Sequence, residues 1–188
     1  MLKRKIEKTL LNWLNTENRN PLILKGCRQC GKTFSVLRFA QQHYKHVVYL
    51  NFFENPDYRT IFEGSLKVDD VVLMMSAFVG ANVRFIPHET VIVLDEIQEC
   101  PRARAALKFF KLDGRFDVLA TGSLLGISGY RSEDYSVPVG YETIIDMFPL
   151  DFEEFLWANG IGDSLIALLK QCLESERRVR EPLTQRLR

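Results

Sequence analysis

Short runs of apolar residues alternate along the chain with stretches in which apolar residues recur every three or four positions. The short runs predict strands at residues 22–24, 46–51, 90–94, 116–120 and 143–147. The longer spacing predicts amphipathic helices before, between and after these runs. Because strands that alternate with helices form parallel sheets covered on both faces, the pattern predicts an α/β fold.

The same pattern suggests where the helices begin and end. The longer helices are predicted over residues 2–14, 34–40, 70–79, 101–112, 152–158 and 163–177, and a short one over residues 58–62. Asp69 and Asp70 are suited to cap the helix that ends at Gly80, since a side-chain oxygen can accept from a free N–H of the first turn. Core packing is predicted for the apolar stripe of Phe152, Phe155, Leu156 and Trp157.

One segment between the first strand and the next helix matches the phosphate-loop pattern G-x4-G-K-[ST]: Gly26, Cys27, Arg28, Gln29, Cys30, Gly31, Lys32 and Thr33. Glycines let backbone N–H groups converge on phosphates, and the helix N-terminus adds a partial positive charge. Lys32 is expected to reach the β- and γ-phosphates, and the Thr33 hydroxyl to ligate Mg²⁺. These residues are the predicted nucleotide-binding site.

The third strand ends in two carboxylates, Asp95 and Glu96. NTPases use a carboxylate on a neighbouring strand to hold hydrated Mg²⁺ opposite the hydroxyl of the phosphate loop. Asp95 and Thr33 are therefore the predicted metal site. Glu96 is suited to orient or deprotonate the attacking water. A solvated acidic turn is the alternative interpretation of this pair.

The fourth strand runs into two hydroxyl residues, Thr121 and Ser123. A hydroxyl at this strand tip could contact the γ-phosphate or position the attacking water. Either residue could instead cap a helix that follows. Both are candidate catalytic residues, together with Glu96 and Lys32.

Composition narrows the class of protein. Of 188 residues 46% are hydrophobic, so a packed core is expected rather than disorder. The balance of 25 Lys and Arg against 24 Asp and Glu gives nucleic-acid binding no support. No apolar run approaches the length of a membrane-spanning helix, so no membrane partner is expected. Four cysteines without a secretory signal favour a reducing compartment, and we expect the cytoplasm.

Cys27 and Cys30 also form a C-x-x-C pair, a spacing found in redox sites. Both occupy variable positions of a complete phosphate loop, which favours nucleotide binding over redox chemistry. Zinc binding is less favoured still, because the sequence has no second C-x-x-C or His pair at ligand spacing.

Four stretches resemble one group of proteins: GCRQCGKT, VIVLDEIQECP, VLATGSLLG and VGYETIIDMFPLDFEEFL. Over about residues 2–158 the chain is similar to predicted prokaryotic ATPases of the AAA+ superfamily. The resemblance implies a P-loop NTPase sheet with strand order 5-1-4-3-2, binding of ATP and Mg²⁺, and hydrolysis with Glu96 as the base. Because the group carries an uncharacterised C-terminal domain, residues 1–160 are expected to form the ATPase domain. Residues 161–188 are then expected to be the helical start of a truncated further unit.

One position departs from this group, which commonly carries an arginine after the glycine that precedes the fifth strand. This chain has Tyr141 after Gly140. Arg131 is a substitute candidate for the arginine finger, and a solvated surface arginine is the favoured interpretation of this residue. We expect Mg²⁺-dependent ATP hydrolysis; the alternative is a nucleotide-binding interaction module without turnover. A nucleic-acid-associated ATPase rests on family analogy alone. The sequence leaves homo-oligomer formation open.

Overall fold

The computed structural model describes residues 2–80, 83–123 and 140–174. Its strands are β1 (Leu22–Gly26), β2 (His46–Asn51), β3 (Thr90–Asp95), β4 (Asp117–Ser123) and β5 (Thr143–Met147). Its α-helices are α1 (Ile6–Leu14), α2 (Lys32–His43), α3 (Val68–Val79), α4 (Pro101–Asp113), α5 (Phe152–Ala158) and α6 (Asp163–Glu174). Two 3₁₀ helices span Pro56–Phe62 and Ile97–Glu99.

The five strands form one parallel sheet in the order β2-β3-β4-β1-β5. This is the order 5-1-4-3-2 counted from the opposite edge, so the predicted α/β fold and strand order are confirmed. Every residue of β3 is buried, which explains its nearly continuous apolar sequence. Since the strands are parallel, their carboxyl ends meet at one edge of the sheet, where α/β proteins bind ligands.

Helices cover both faces of this sheet, as predicted. Successive residues of a strand face opposite sides. Ile92 and Leu94 of β3 therefore belong to the core beneath α3 and α4, whereas Val91 and Val93 belong to the core beneath α1 and α2.

Several element boundaries differ from the prediction, and two of the differences bear on predicted roles. α3 begins at Val68, and Asp69 and Asp70 lie in its first turn without a side-chain cap hydrogen bond, so their predicted capping role is wrong. Carboxylates in a first turn still interact favourably with the helix dipole. β4 begins and ends later than predicted, so that Thr121 and Ser123 both lie within the strand.

The chain divides into two compact units, a larger one of Ile6–Pro149 and a smaller one that combines residues 1–5 with residues 150–188. In the smaller unit, Glu154 accepts hydrogen bonds from Arg4 Nε at 3.1 Å and from the backbone N–H of Lys5 at 2.7 Å. Glu154 and Asp151 also form a capping box at the start of α5. The proposed boundary near residue 160, and a further unit beyond it, stay predictions.

The apolar stripe of α5 does not pack as predicted. Leu156 is buried, but Phe152 and Phe155 are 73% and 53% exposed, so core packing is wrong for these two rings. Arg131 and the end of the predicted last helix lie outside the described residues. Within the described part of the chain, no helix has the length and apolar character needed to cross a membrane.

Candidate nucleotide-binding site

The phosphate-loop segment is a tight connection between β1 and α2. Gln29 has φ 61° and Gly31 has φ 92°, both in the left-handed region. Gly31 is the N-cap residue of α2. Alternation of right- and left-handed residues turns successive N–H groups into one concavity, which binds anions. The local conformation is therefore compatible with phosphate binding.

The first glycine of the pattern is needed because another strand passes close to it. A Cβ atom on Gly26 would lie 2.2 Å from the carbonyl oxygen of Met147, its register partner on β5. Backbone on both sides leaves this clash no simple relief. Any other residue at position 26 would push β5 away from the start of the loop.

Lys32 is 5% exposed, although it carries a charge. Its Nζ donates to the carbonyl oxygens of Cys27 at 2.7 Å and Gly26 at 3.2 Å. Among the described residues, no carboxylate lies within ion-pairing distance of this ammonium. A buried cation whose partners are all neutral is suited to receive an anion.

The variable positions of the loop differ in exposure. Arg28 and Gln29 are exposed, Cys27 is half-buried, and Cys30 is buried with its Sγ 3.7 Å from the carbonyl oxygen of Met147. Neither cysteine forms a disulfide bond. Cys30 thus serves as a small packing residue between the loop and β5.

Asp95 lies at the centre of a polar cluster and is 2% exposed. The Thr33 hydroxyl lies 3.0 and 3.1 Å from its two carboxylate oxygens, so α2 and β3 bring the predicted metal ligands together. Hydroxyl and carboxylate oxygens are ligands that Mg²⁺ accepts, and Mg²⁺ keeps several waters besides its few protein ligands. The pair therefore fits a Mg²⁺ site.

The sequence interpretation missed two further partners of Asp95. The Tyr49 hydroxyl donates to Asp95 Oδ2 at 2.8 Å, and the Asn51 side-chain amide donates to the same oxygen at 3.2 Å. Both residues lie on β2, which pairs with β3 so that Asn51 is opposite Asp95. Burial raises the pKa of Tyr49 above its usual value, and the hydrogen bond to Asp95 is the second largest cause of this rise. The Tyr49 hydroxyl thus remains a donor that helps to orient the carboxylate.

Thr121 and Ser123 differ in their surroundings. Thr121 is fully buried; its hydroxyl donates to Asp95 and accepts from the Glu96 backbone N–H at 3.4 Å. Ser123 is half-buried and lies opposite Gly26 in the pairing of β4 with β1, beside the start of the loop. Thr121 therefore contacts the carboxylate, and Ser123 is the hydroxyl residue placed next to the loop.

Glu96 follows Asp95 in an unusual conformation, with φ 53° and ψ 49° in the left-handed region. This turn separates it from the buried cluster, and it is half-buried. Gln98 Nε2 donates to Glu96 Oε2 at 2.5 Å. A non-glycine residue held in this region is uncommon and is frequent at functional sites.

A family model described as an AAA domain matches residues 18–156. The chain belongs to this family. It is therefore a member of the AAA+ P-loop ATPases, a family of nucleotide-binding proteins.

Two solved structures share the fold. ORC2 of Aeropyrum pernix, determined as ADPNP–ADP complexes, is 17% identical with a TM-score of 0.51, over 83% of this chain and 49% of that one. DnaA of Aquifex aeolicus, bound to AMPPCP, is 12% identical with a TM-score of 0.50, over 93% of this chain and 52% of that one. This chain thus spans about half the length of either protein. The comparison with curated proteins finds no match.

The position before β5 that carries an arginine in the resembling ATPases is filled by a half-buried Tyr141. The Nζ of Lys108 lies 5.3 Å from the centre of its ring, within cation–π distance. The neighbouring Glu142 pairs with Arg104 of α4 at 2.6 Å. This segment is therefore fixed to α4 by side-chain contacts.

Proposed function

We propose that this protein binds ATP with Mg²⁺ and hydrolyses it to ADP and phosphate in the cytoplasm. The observation that carries the proposal is the buried Lys32 ammonium, whose partners in the described part of the chain are carbonyl oxygens of the phosphate-loop segment. An arriving triphosphate would supply the missing negative charge. Family membership supports nucleotide binding, and the choice of ATP and of hydrolysis is ours.

Each part of the loop has a role in this proposal. Backbone N–H groups from Gly26 to Thr33 bind the phosphates, and Lys32 stabilises charge on the β- and γ-phosphates. Thr33 and Asp95 would hold Mg²⁺, which neutralises phosphate charge when bound. Tyr49 and Asn51, with Thr121, orient the Asp95 carboxylate through their hydrogen bonds.

Glu96 is the proposed base that orients and deprotonates the attacking water. Its position directly after Asp95 supports this role, because the residue that orients the water must lie close to the residue that binds the metal at the sheet edge. Ser123 is the proposed contact with the γ-phosphate, supported by its place beside the loop. The Asp95 contact of Thr121 supports a positioning role for this residue instead of direct γ-phosphate sensing.

Steady-state phosphate release from Mg·ATP tests the proposal. Glu96→Gln should lower kcat by about 10²- to 10⁴-fold, the usual contribution of a general base, and leave ATP affinity unchanged. Glu99→Gln is the matched control: Glu99 lies in the same connection but pairs with Arg59 at 3.1 Å, and we expect its kcat to stay at the parental value. Hydrolysis by Glu96→Gln at the parental rate would remove Glu96 from the mechanism.

One observation favours a second function, a nucleotide-binding interaction module without turnover. Tyr141 occupies the place of an arginine that resembling ATPases use, so a neighbouring subunit could not complete a site there. The two functions separate when phosphate release is measured over a range of protein concentration. Turnover that rises more than linearly indicates an ATPase completed by self-association; tight ATP binding without any turnover indicates the module.

A further inference from the structure

The ladder between β3 and β4 ends before the strands do. Its last pair is Leu94 with Ala120, and beyond it β3 continues through Asp95 into the Glu96 turn while β4 runs on to Ser123. Beyond the last pair, side-chain hydrogen bonds connect the two segments in place of backbone hydrogen bonds. Thr121 provides one link between the two segments, and Gln98 provides another.

Gln98 joins Glu96 to the end of β4. Its Nε2 donates to Glu96 Oε2 at 2.5 Å, and its Oε1 accepts from the backbone N–H of Ser123 at 3.3 Å. A carboxylate can only accept and a backbone N–H can only donate. The two neighbours therefore fix the orientation of the Gln98 amide, and both of its ends are used.

The backbone around Gln98 gives it a defined place. It is the middle residue of the 3₁₀ helix Ile97–Glu99, whose first side chain, Ile97, is fully buried. The Glu99 N–H donates to the Glu96 carbonyl oxygen at 2.9 Å and closes the turn. The amide of Gln98 is thus presented to Glu96 from an anchored turn.

We propose that Gln98 is a positioning residue for hydrolysis, which holds the Glu96 carboxylate in the orientation that serves the attacking water. The inference rests on the proposed function. By donating to Oε2, Gln98 fixes the rotamer of Glu96 and leaves Oε1 to accept from water. Its second bond, to Ser123, ties that orientation to the strand end beside the phosphate loop. Its effect should appear in kcat and leave ATP affinity unchanged, because Gln98 contacts the base and not the loop.

Gln98→Met tests this role, because methionine keeps the length of the side chain and removes both hydrogen bonds. Displacing a reacting group by about 1 Å can cost roughly 10²-fold, so we expect kcat to fall about 10- to 100-fold with the Kd for a fluorescent ATP analogue unchanged. In Gln98→Glu, which replaces the donor with an acceptor facing Glu96, kcat should fall by at least the same factor. Gln41→Met, on the exposed side of α2, is the control and should match the parent.

A double-mutant cycle separates positioning from a general structural effect. In the Glu96→Gln background, Gln98→Met should cause no further loss of kcat, because the group that it positions is already gone. A further tenfold loss there would overturn the inference, as would a parental or increased kcat in Gln98→Met alone. A parent without Glu96-dependent turnover would overturn the proposed hydrolysis and this inference with it. A parent that turns over beside an unaffected Gln98→Met would overturn the inference alone.

Discussion

Two buried cations in the larger unit have different surroundings. Arg104 of α4 forms two hydrogen bonds with Glu142, at 2.6 and 3.1 Å, and both side chains are less than a tenth exposed. Lys32 of the phosphate loop is equally buried but is held by carbonyl oxygens. One site contains its own anion, and the other is complementary to an anion from outside.

The difference teaches how to separate structural from functional buried charge. Removing a charge from water costs several kcal/mol, which a well-placed opposite charge offsets. Arg104 and Glu142 offset each other within the chain, and they fix the segment before β5 to α4. For Lys32 the described part of the chain supplies no opposite charge, and in the proposed function the compensation comes with the bound nucleotide.

Neutralising Glu142, the anion of the buried Arg104–Glu142 pair, should have the largest effect on stability. Glu142→Gln keeps the shape of the side chain but removes the negative charge that pairs with Arg104, so the free energy of unfolding should fall by about 3 kcal/mol. Urea denaturation without nucleotide measures it. Glu89→Gln is the control, since Glu89 pairs with Lys45 on the surface, where a bridge contributes at most about 1 kcal/mol. Equal losses in the two variants would contradict the distinction.

Removing the Lys32 ammonium should weaken nucleotide binding without lowering the stability of the fold. Lys32→Ala should lower ATP affinity by at least about 100-fold, which corresponds to about 2.7 kcal/mol. The free energy of unfolding without nucleotide should stay the same or rise, because the substitution removes a buried charge that has no opposite charge beside it among the described residues. Fluorescence titration and urea denaturation of the same variant measure both. A Lys32→Ala protein that is destabilised but binds ATP normally would make Lys32 a structural residue.

The sequence was sufficient for features that are local in the chain. The phosphate loop is continuous in sequence, and its conformation follows from its glycines and from the helix that it starts. Asp95 could be placed because a buried strand ends there. Alternating apolar runs were enough for the α/β class, and the resemblance to AAA+ ATPases supplied the strand order.

Contacts between distant elements could not be predicted in this way. Tyr49 and Asn51 contact Asp95 because β2 and β3 pair in one particular register. This register cannot be deduced from the sequence of either strand alone. The sequence analysis assigned no role to Gln98, which links Glu96 to the end of β4. For Phe152 and Phe155 the sequence predicted burial that the structure does not show, since an apolar stripe on a helix does not specify which element packs against it.

A third cation, Arg19, is intermediate between these two cases, and its cluster gives the smallest expected effect. Arg19 and Tyr44 both donate to the partly exposed Asp117, at 2.5 and 2.7 Å. Burial first, and then Asp117, raise the pKa of the Tyr44 hydroxyl above its ordinary 10.0. The folded protein therefore holds this proton more tightly than the unfolded chain does. Its contribution to stability is complete below about pH 10 and is lost as the pH rises further.

Tyr44→Phe should thus cost about 1 kcal/mol at pH 8, the value of one hydrogen bond, and the gap between variant and parent should narrow from pH 10 upward. Urea denaturation at pH 8 and pH 11 measures the gap, and the lysines and the other tyrosines titrate equally in both proteins. A gap that stays constant would mean that Tyr44 ionises alike in the folded and unfolded chains. Arg19 would then be the group that neutralises Asp117. The cluster would in that case resemble the Arg104–Glu142 pair, in which the two side chains neutralise each other.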